Sequence, residues 1–424
     1  MTTSLKPRSR AETVQIVTSP GGLTAWLVED YAVPLIAFDF AFKGGAAQDA
    51  ADTCGAAAML AGLLDEGAGD LDSAAFQGAL DDKAIEISFG ADRDVFSGAM
   101  KTLTRARAEA FKLLALAVGH ARLDPAPLER VRGQMLASLR RQAKDPDAMA
   151  SKAFRECAYP DHPYGRPVRG AAETLAAITR DDLAAVAKAQ LARDSVKIAV
   201  VGAISAGELA ERLDEVFGAL PAHAQLTPVA DVTLTGMGAP RVQHLDLEQS
   251  TIRFGRPGIA RHDPDFMTAT VVNHILGGGV FSARLFREVR EKRGLAYSVY
   301  SQLGTQDHTA FFSGGTSTKN ERAAESLSVI KSEIDALAAD GPTQDELDKA
   351  KKYLIGSYAL RFDTSTKIAS QLVNLQTEGL GVDYLDQRNE LVAAVTMDEA
   401  RRVGARLFGD GALLVTVAGA PIGM

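Results

Sequence analysis

A repeated segment limits what this chain can fold into more than any other feature of its sequence. Residues 178–202 read ITRDDLAAVAKAQLARDSVKIAVVG, and residues 395–419, which lie 217 positions further along, read VTMDEARRVGARLFGDGALLVTVAG. Each segment begins with an apolar residue, a threonine and an acidic pair, and each ends in a short apolar strand closed by glycine. Thr179 is a good N-cap for the helix that it precedes. The pattern predicts one supersecondary unit that is used twice.

Two further pairs of segments match at nearly the same offset. Residues 140–154 and 359–372 each predict a helix, an aspartate, a break and a second helix. The apolar strand 35–42, in which every second residue is Ile or Phe, corresponds to residues 250–255, and a helix follows each strand. Several ordered matches at one offset are poorly explained by chance. We therefore predict a duplication that spans the chain.

The duplication defines two predicted domains of roughly 200 residues each. Residues 1–220 form the N-terminal domain, residues 241–424 form the C-terminal domain, and the low-complexity stretch 221–240 is an exposed linker. Within each domain the predicted order is strands, helix, strands, several helices and a final strand. This order predicts an α+β fold with an antiparallel-rich sheet and helices packed on one side, because the strict alternation of doubly wound sheets is absent.

Composition excludes several classes of function. The 424-residue chain carries a net charge of −8 and has no lysine- or arginine-rich tract, which argues against a nucleic-acid partner. Its two cysteines, Cys54 and Cys157, are too few for a disulfide framework or a thiolate zinc cluster, although one disulfide between them stays open. The N-terminus has neither an apolar signal core nor a spanning segment. We therefore expect a cytoplasmic protein with no membrane partner, or a periplasmic one whose signal peptide has been removed.

Residues 286–301, FREVREKRGLAYSVYS, carry the candidate functional site. The charged run predicts a helix that Gly294 ends, and the alternating residues after it predict a strand. Arg290 lies near the end of this helix and Tyr297 at the start of the strand, so both side chains could point into one cleft. The alternative is a solvent-exposed helix end followed by an ordinary strand with a core tyrosine.

The element order and three local stretches resemble the pitrilysin/insulinase-type zinc peptidases, the family that includes mitochondrial processing peptidase and the core proteins of the respiratory bc1 complex. The stretches are the region that begins FDFAFKGG at Phe38, the loop His162–Gly170 and the segment Ser282–Ser301. The resemblance covers nearly the whole chain. It implies two or four repeated α+β domains that enclose a cavity, which agrees with the duplication.

Active members of that family carry His-x-x-Glu-His on the helix after the third strand. Two histidines at i and i+4 hold zinc from one helix face, and the glutamate acts as general base. The matching positions here are Ala58, Ala61 and Gly62, and a later helix offers Ala137 and Ser138 where the family's glutamate ligand would stand. None of these can bind metal, and no two of the seven histidines have helical ligand spacing. We therefore expect no metal site and no cofactor site on this chain.

One part of the family's catalytic equipment is present. In the family an arginine and a tyrosine in a motif close to R-x-K-x-G-L-x-Y project from the second domain toward the zinc. Arg290 and Tyr297 have this spacing and context. The resemblance implies that they are catalytic residues, which hold the scissile carbonyl and donate hydrogen bonds to the developing oxyanion.

We therefore expect one subunit of a heteromeric zinc metalloendopeptidase that is inactive alone. Its partner would be a homologous subunit that carries His-x-x-Glu-His and the zinc, and its substrates would be peptides or unfolded segments. The alternative is a non-catalytic structural or peptide-binding subunit, as in the bc1 core proteins. A free-standing hydrolase has little support, because no nucleophile–base motif is visible.

Overall fold

The computed structural model describes residues 9–424, with the side chain of Val280 left out. Strands in these residues are β1 (Gln15–Thr18), β2 (Thr24–Glu29), β3 (Leu35–Lys43), β4 (Glu86–Ala91), β5 (Val95–Leu103), β6 (Val196–Gly202), β7 (Arg241–His244), β8 (Gln249–Pro257), β9 (Ala296–Gln306), β10 (Thr309–Lys319) and β11 (Leu414–Gly419).

The α-helices of the same residues are α1 (Ala56–Ala61), α2 (Ser73–Lys83), α3 (Arg107–Gly119), α4 (Pro125–Gln142), α5 (Pro146–Ala158), α6 (Ala172–Ala177), α7 (Arg180–Gln190), α8 (Ala206–Phe217), α9 (Phe266–Asn273), α10 (Ala323–Asp340), α11 (Gln344–Ser357), α12 (Ser365–Thr377), α13 (Tyr384–Ala394) and α14 (Met397–Phe408). Two segments are π-helical, namely His274–Gly278 and Phe286–Glu291.

The described chain divides into two compact units. Unit 1 contains residues 9–137, Val168–Pro228 and Ala359–Arg388. Unit 2 contains Ser138–Pro167, Val229–Tyr358 and Asn389–Met424. The predicted fold class is confirmed, since each unit holds an antiparallel-rich sheet with helices packed on it.

The sheet of unit 1 has the strand order β1-β2-β6-β3-β5-β4. Alternation in the central strand β3 sends Phe38, Phe40 and Phe42 to one face, where they pack against Phe217 of α8. The ring of Phe40 lies so close to β5 that a Cβ at Gly98 would collide with it. This face forms an aromatic core, and its packing requires glycine on the neighbouring strand.

The opposite face of this sheet is covered by α12, which comes from the C-terminal half of the sequence. Ala37 and Ala41 of β3 are buried there against Ala369 and Leu372 of α12. Small side chains on both surfaces let the helix approach the sheet closely. Unit 1 therefore takes one of its core helices from beyond the predicted linker.

Unit 2 has the strand order β7-β11-β8-β10-β9 and the same kind of exchange. Helix α5, from the N-terminal half of the sequence, packs on β8 and β11. The hydroxyl of Thr416 in β11 donates to the carbonyl of Ala150 at 3.0 Å. The ring of Phe154 lies against Gly255 of β8. The duplication pairs segment 140–154 with segment 359–372. Each segment contributes a helix to the unit that is formed mainly by the other half of the sequence.

The repeated segment has the same local structure in both units. Thr179 accepts a hydrogen bond from the N–H of Asp182, and Thr396 accepts one from the N–H of Glu399, so both helices begin with a capping box. The strands that follow end at Gly202 with φ of 141° and at Gly419 with φ of 147°. These backbone angles favour glycine, which accounts for the shared final residue.

No helix in residues 9–424 is both long enough and apolar enough to cross a membrane.

Candidate functional site

Helix α1 of unit 1 follows β3, at the position where the resemblance implies the zinc helix of active peptidases. It begins after Gly55, whose φ of 101° is left-handed, and its first turn is fixed by Asp49, which accepts from the N–H groups of Gly55 at 2.8 Å and Ala57 at 3.0 Å. A Cβ at Gly62 would lie 3.2 Å from a methyl group of Val131 on α4. The helix is short, and small side chains suit its surroundings.

The residues at this place do not fit a zinc ion. Ala58 and Ala61 present methyl groups and Gly62 presents a hydrogen, and none of these donates an electron pair to a metal. Across residues 9–424, no group of three or more His, Cys, Asp or Glu side chains is placed to hold a metal ion. We therefore derive no step of any reaction through zinc on this chain.

The segment around Arg290 in unit 2 has the predicted outline with one difference. Residues Phe286–Glu291 are π-helical, and a π-helix adds a residue to the turn and rotates the side chains that follow. Gly294 then adopts a φ of 57° and ends the helix, and β9 begins two residues later at Ala296. The wider turn leads directly from the charged run into the edge strand of the sheet.

The structure brings Arg290 and Tyr297 together. The guanidinium carbon of Arg290 lies 4.5 Å from the ring centroid of Tyr297 and 4.8 Å from that of Phe286. Phe281 packs edge-on against Phe286, with 5.2 Å between the ring centroids. Tyr297 is 82% exposed and Phe281 is 72% exposed. We call Phe281, Phe286, Arg290 and Tyr297 the arginine–aromatic cluster.

The neighbouring cations are engaged with carboxylates. Arg284 and Arg287 bind Glu346 at 2.7 and 3.1 Å, and Lys292 and Arg293 both bind Glu288 at 2.6 Å. Burial alone raises the pKa of the Glu346 carboxyl, but the hydrogen bonds from the arginines outweigh it and bring that pKa to about 2. These pairs hold the run in place structurally.

Arg290 differs from these neighbours. In the part of the chain that the structure describes, its guanidinium meets two aromatic rings and makes no ion pair. Stacking on rings leaves the N–H groups at the guanidinium edge able to donate. The cluster therefore presents a positive charge, hydrogen-bond donors and two exposed rings on one surface.

Sequence reasoning missed a second stacked pair in unit 2. The imidazole of His274 is buried and stacks on the ring of Tyr353, with 5.0 Å between the centroids. Its Nε2 has no hydrogen-bond partner among the described residues, and burial lowers its pKa. No spacing rule joins the two residues, because they lie on separate segments. The preceding residue, Asn273, accepts a hydrogen bond from the hydroxyl of Ser301 at 2.8 Å, which ties this segment to β9.

Comparison with known proteins supports the resemblance that the sequence indicated. Residues 177–354 match the family described as "Peptidase M16 inactive domain". A crystal structure of a peptidase M16 inactive domain from Pseudomonas fluorescens superimposes with a TM-score of 0.90, at 27% identity, over 96% of this chain and 98% of that one. The chain is therefore similar to a peptidase M16 inactive domain over almost its whole length.

Two curated relatives of this chain carry different names. The non-peptidase homolog YmxG of Helicobacter pylori is 28% identical over 84% of this chain and 82% of its own length. An uncharacterized zinc protease of Streptomyces coelicolor is 30% identical over 66% of this chain and 62% of its own length. One name thus denies peptidase activity, and the other states a zinc protease.

These findings overturn one prediction. The expectation of a metalloendopeptidase subunit was wrong, because the matching family is an inactive domain, also seen in the Pseudomonas structure, and the Helicobacter relative is named a non-peptidase. The physical reason agrees, since Ala58, Ala61 and Gly62 supply no metal ligand and no general base. The similarity and the residues at the metal positions both argue against a catalytic metalloendopeptidase.

Proposed function

We propose that this chain is a non-catalytic subunit that binds peptides through unit 2. The observation that carries the proposal is the stacking of Arg290 on Tyr297 at the start of an edge strand, where Tyr297 is almost fully exposed. A purely structural subunit has no need of a half-buried arginine that stacks on a largely exposed tyrosine in this way. Their role here is to bind peptide, and they do no chemistry on it.

The edge of the sheet supports a peptide-binding role. Strand β9 is the last strand of its sheet and pairs with β10 on one side only, within the described residues. Its first residues include the exposed Tyr297, Ser298 and Tyr300. An extended peptide can add to such an edge through main-chain hydrogen bonds. Arg290 and Tyr297 would then meet the peptide at one end of the added strand.

The chemistry of the cluster indicates what it holds. The guanidinium and the phenol both donate hydrogen bonds, so they suit a peptide carbonyl or a carboxylate. The exposed rings of Phe281 and Tyr297 suit an apolar or aromatic side chain. We expect peptides that carry acidic residues next to apolar ones to bind best.

We also propose that the partner is a homologous chain with His-x-x-Glu-His, and that any zinc in the assembly is bound by that chain. Coexpression followed by size-exclusion chromatography and metal analysis tests this pairing. We expect the two chains to coelute with zinc, and we expect the zinc to be lost when the partner's histidines are replaced. Separate elution of the two chains would contradict it.

Peptide binding is tested by fluorescence anisotropy on the full chain. The probe is a fluorescein-labelled unstructured peptide rich in Asp, Val and Leu. We expect saturable binding that Arg290→Ala or Tyr297→Ala each weakens about three- to tenfold, the range for an exposed cation–π and hydrogen-bonding contact. The controls are Arg169→Ala and Tyr31→Ala, which remove exposed residues of the same types in unit 1.

Two results would contradict the proposal. Absence of saturable binding would favour a purely structural subunit. Binding that neither Arg290→Ala nor Tyr297→Ala changes would place the peptide elsewhere.

A further inference from the structure

A cavity of about 430 Å³ opens in unit 1 where the first residues of β2 and β6 lie side by side. Thr24 and Trp26 of β2 and Lys197 of β6 line it from the sheet. Gln376 near the end of α12 and Leu380 just beyond that helix line the opposite wall. This volume lies within the range of small-ligand pockets.

Two cations face this space. Arg193 lies in the turn before β6, where its backbone N–H donates to the carbonyl of Pro221 at 2.9 Å. Its side chain is half-buried, and its Nε has no hydrogen-bond partner among residues 9–424. Lys197 is also half-buried, and it makes no ion pair with the described carboxylates. A buried guanidinium N–H without a protein acceptor is costly, so Arg193 favours an anionic partner.

Among the described residues that line the cavity, the one carboxylate already accepts hydrogen bonds from the protein. Asp194 accepts hydrogen bonds from the N–H of Ala224 and from Nδ1 of His223, both at 3.0 Å. Burial acts to raise the pKa of this carboxyl, but these two hydrogen bonds together lower it, so Asp194 is ionised and committed to them. The cavity keeps a local positive charge in a chain whose net charge is −8.

We propose that this cavity binds a small organic anion. The carboxylate or phosphate group of the ligand lies against Arg193 and Lys197 and accepts hydrogen bonds from both side chains. The apolar part of the ligand lies against Trp26, Leu23 and Leu380. Neither a neutral nor a cationic molecule of the same shape satisfies the two cations, so the charge of the ligand decides binding.

The chain provides its own reporter for this site. Trp26 is the single tryptophan of the sequence, and it lines the cavity while being only 9% exposed. Its fluorescence therefore reports on this cavity without interference from another tryptophan. The probes are benzoate and phenyl phosphate, which distinguish the two anionic groups, and neutral benzamide as the isosteric control.

We expect a saturable change in Trp26 emission with benzoate or phenyl phosphate and none with benzamide. Arg193→Gln combined with Lys197→Gln weakens binding at least about tenfold, as expected for charge-assisted hydrogen bonds. The single variant Lys197→Met keeps the aliphatic stem and provides a milder test. The control, Lys83→Gln combined with Arg105→Gln, removes two exposed charges elsewhere in unit 1 and leaves binding unchanged.

Three results would overturn the proposal: no saturable change with either anion, equal binding of benzamide, or unchanged affinity in the Arg193 and Lys197 variants. Circular dichroism on each variant confirms that its fold is retained, so that a loss of binding is assigned to the lost charge.

Discussion

The guanidinium of Arg290 stacks on the ring of Tyr297, with 4.5 Å between the guanidinium carbon and the ring centroid. Arg290 lies in a π-helical turn, and Tyr297 is the second residue of strand β9, which follows that turn. The tyrosine is exposed, so its ring contributes little to the core. The pair is therefore a surface feature, and its replacement should affect binding more than folding.

Arg290→Lys tests the planar stack directly. Lysine keeps the charge but cannot lie flat between two rings or donate from a planar fork. We expect peptide affinity to fall about threefold and the free energy of unfolding to change by less than about 0.5 kcal/mol. The matched control is Arg287→Lys, because Arg287 makes an ion pair with Glu346 that lysine can keep. Equal loss of affinity in both variants would show that the loss does not depend on the stacking of Arg290 on the two rings.

Asp39 should make the stability of unit 1 depend on pH. It lies on β3 between Ala37 and Ala41, on the face that α12 covers, and its Oδ1 has no hydrogen-bond partner among the described residues. Burial raises its pKa from 3.8 to about 6. The neighbours across the sheet at this position are Ala99 and Ala199, which supply no charge.

The direction of this pH dependence follows from which state, folded or unfolded, binds the proton of Asp39 more tightly. The folded state holds the proton on Asp39 up to about pH 6, whereas the unfolded state loses it near 3.8. Stability therefore falls as pH rises from about 4 to about 6, and the whole penalty is present above that range. Asp39→Asn should be more stable than the wild type by about 1–2 kcal/mol at about pH 7.5 in urea unfolding, and the gain should shrink at about pH 4. A gain that is the same at both pH values would contradict the assignment.

Asp265 should have the opposite pH dependence. This buried carboxylate binds Arg402 at 2.6 Å and Arg406 at 2.5 Å. The hydrogen bond from Arg402 is the largest cause that brings its pKa down to about 2, with burial opposing it and Arg406 adding to it. A lowered pKa gives stability above the unfolded value that is lost as pH falls below about 4.

Asp265→Ala should therefore destabilise unit 2 by about 2 kcal/mol at neutral pH, because Arg402 loses its carboxylate partner and Arg406 keeps only Asp263. Asp398→Ala is the control, since Asp398 is nearly fully exposed and its ion pair with Arg401 is long, at 4.0 Å. Urea unfolding across the acid range checks both the size and the direction of the effect. Equal stability of the two variants at neutral pH would show that the network contributes nothing.

Gly98→Ala should destabilise the aromatic core of unit 1. A methyl group there would collide with the ring of Phe40, which is 1% exposed and held by Phe42 and Phe217. We expect a loss of about 1–3 kcal/mol, as in other overpacked cores. Gly78→Ala in α2 is the control, because a Cβ at Gly78 meets nothing within 4 Å and helix propensity favours alanine by about 1 kcal/mol. Thermal unfolding should move in opposite directions for the two variants.

The sequence predicted most of the fold because its signals are local. The Thr179 cap, the apolar alternation in 35–42 and the glycine that ends the 178–202 repeat each act through nearby atoms. The exchange of α5 and α12 could not be predicted in the same way. Both sheets have an apolar face on which an amphipathic helix can pack. The apolar pattern of α5 or α12 therefore does not indicate which sheet the helix covers.

The candidate site was predictable only in part. The spacing of Arg290 and Tyr297 placed them at a helix end and a strand start, and the structure brings them into contact. The π-helical turn that aligns them has no sequence signal of its own. His274 and Tyr353 stack although they lie far apart in the sequence, so no periodicity reports their contact. The burial of Asp39 was not predicted, because a single polar residue in an apolar strand is also typical of the ordinary alternation between buried and exposed positions.

Hydrogen exchange on the peptide complex tests the central claim most directly. With a saturating amount of the Asp-, Val- and Leu-rich peptide, backbone amides at the start of β9, from Ala296 to Tyr300, should exchange more slowly. Mass spectrometry of the same sample should find the peptide intact, and Tyr297→Ala should remove much of the protection. Peptide cleavage that survives dialysis against a metal chelator, or protection that is absent from β9, would contradict a non-catalytic peptide-binding subunit.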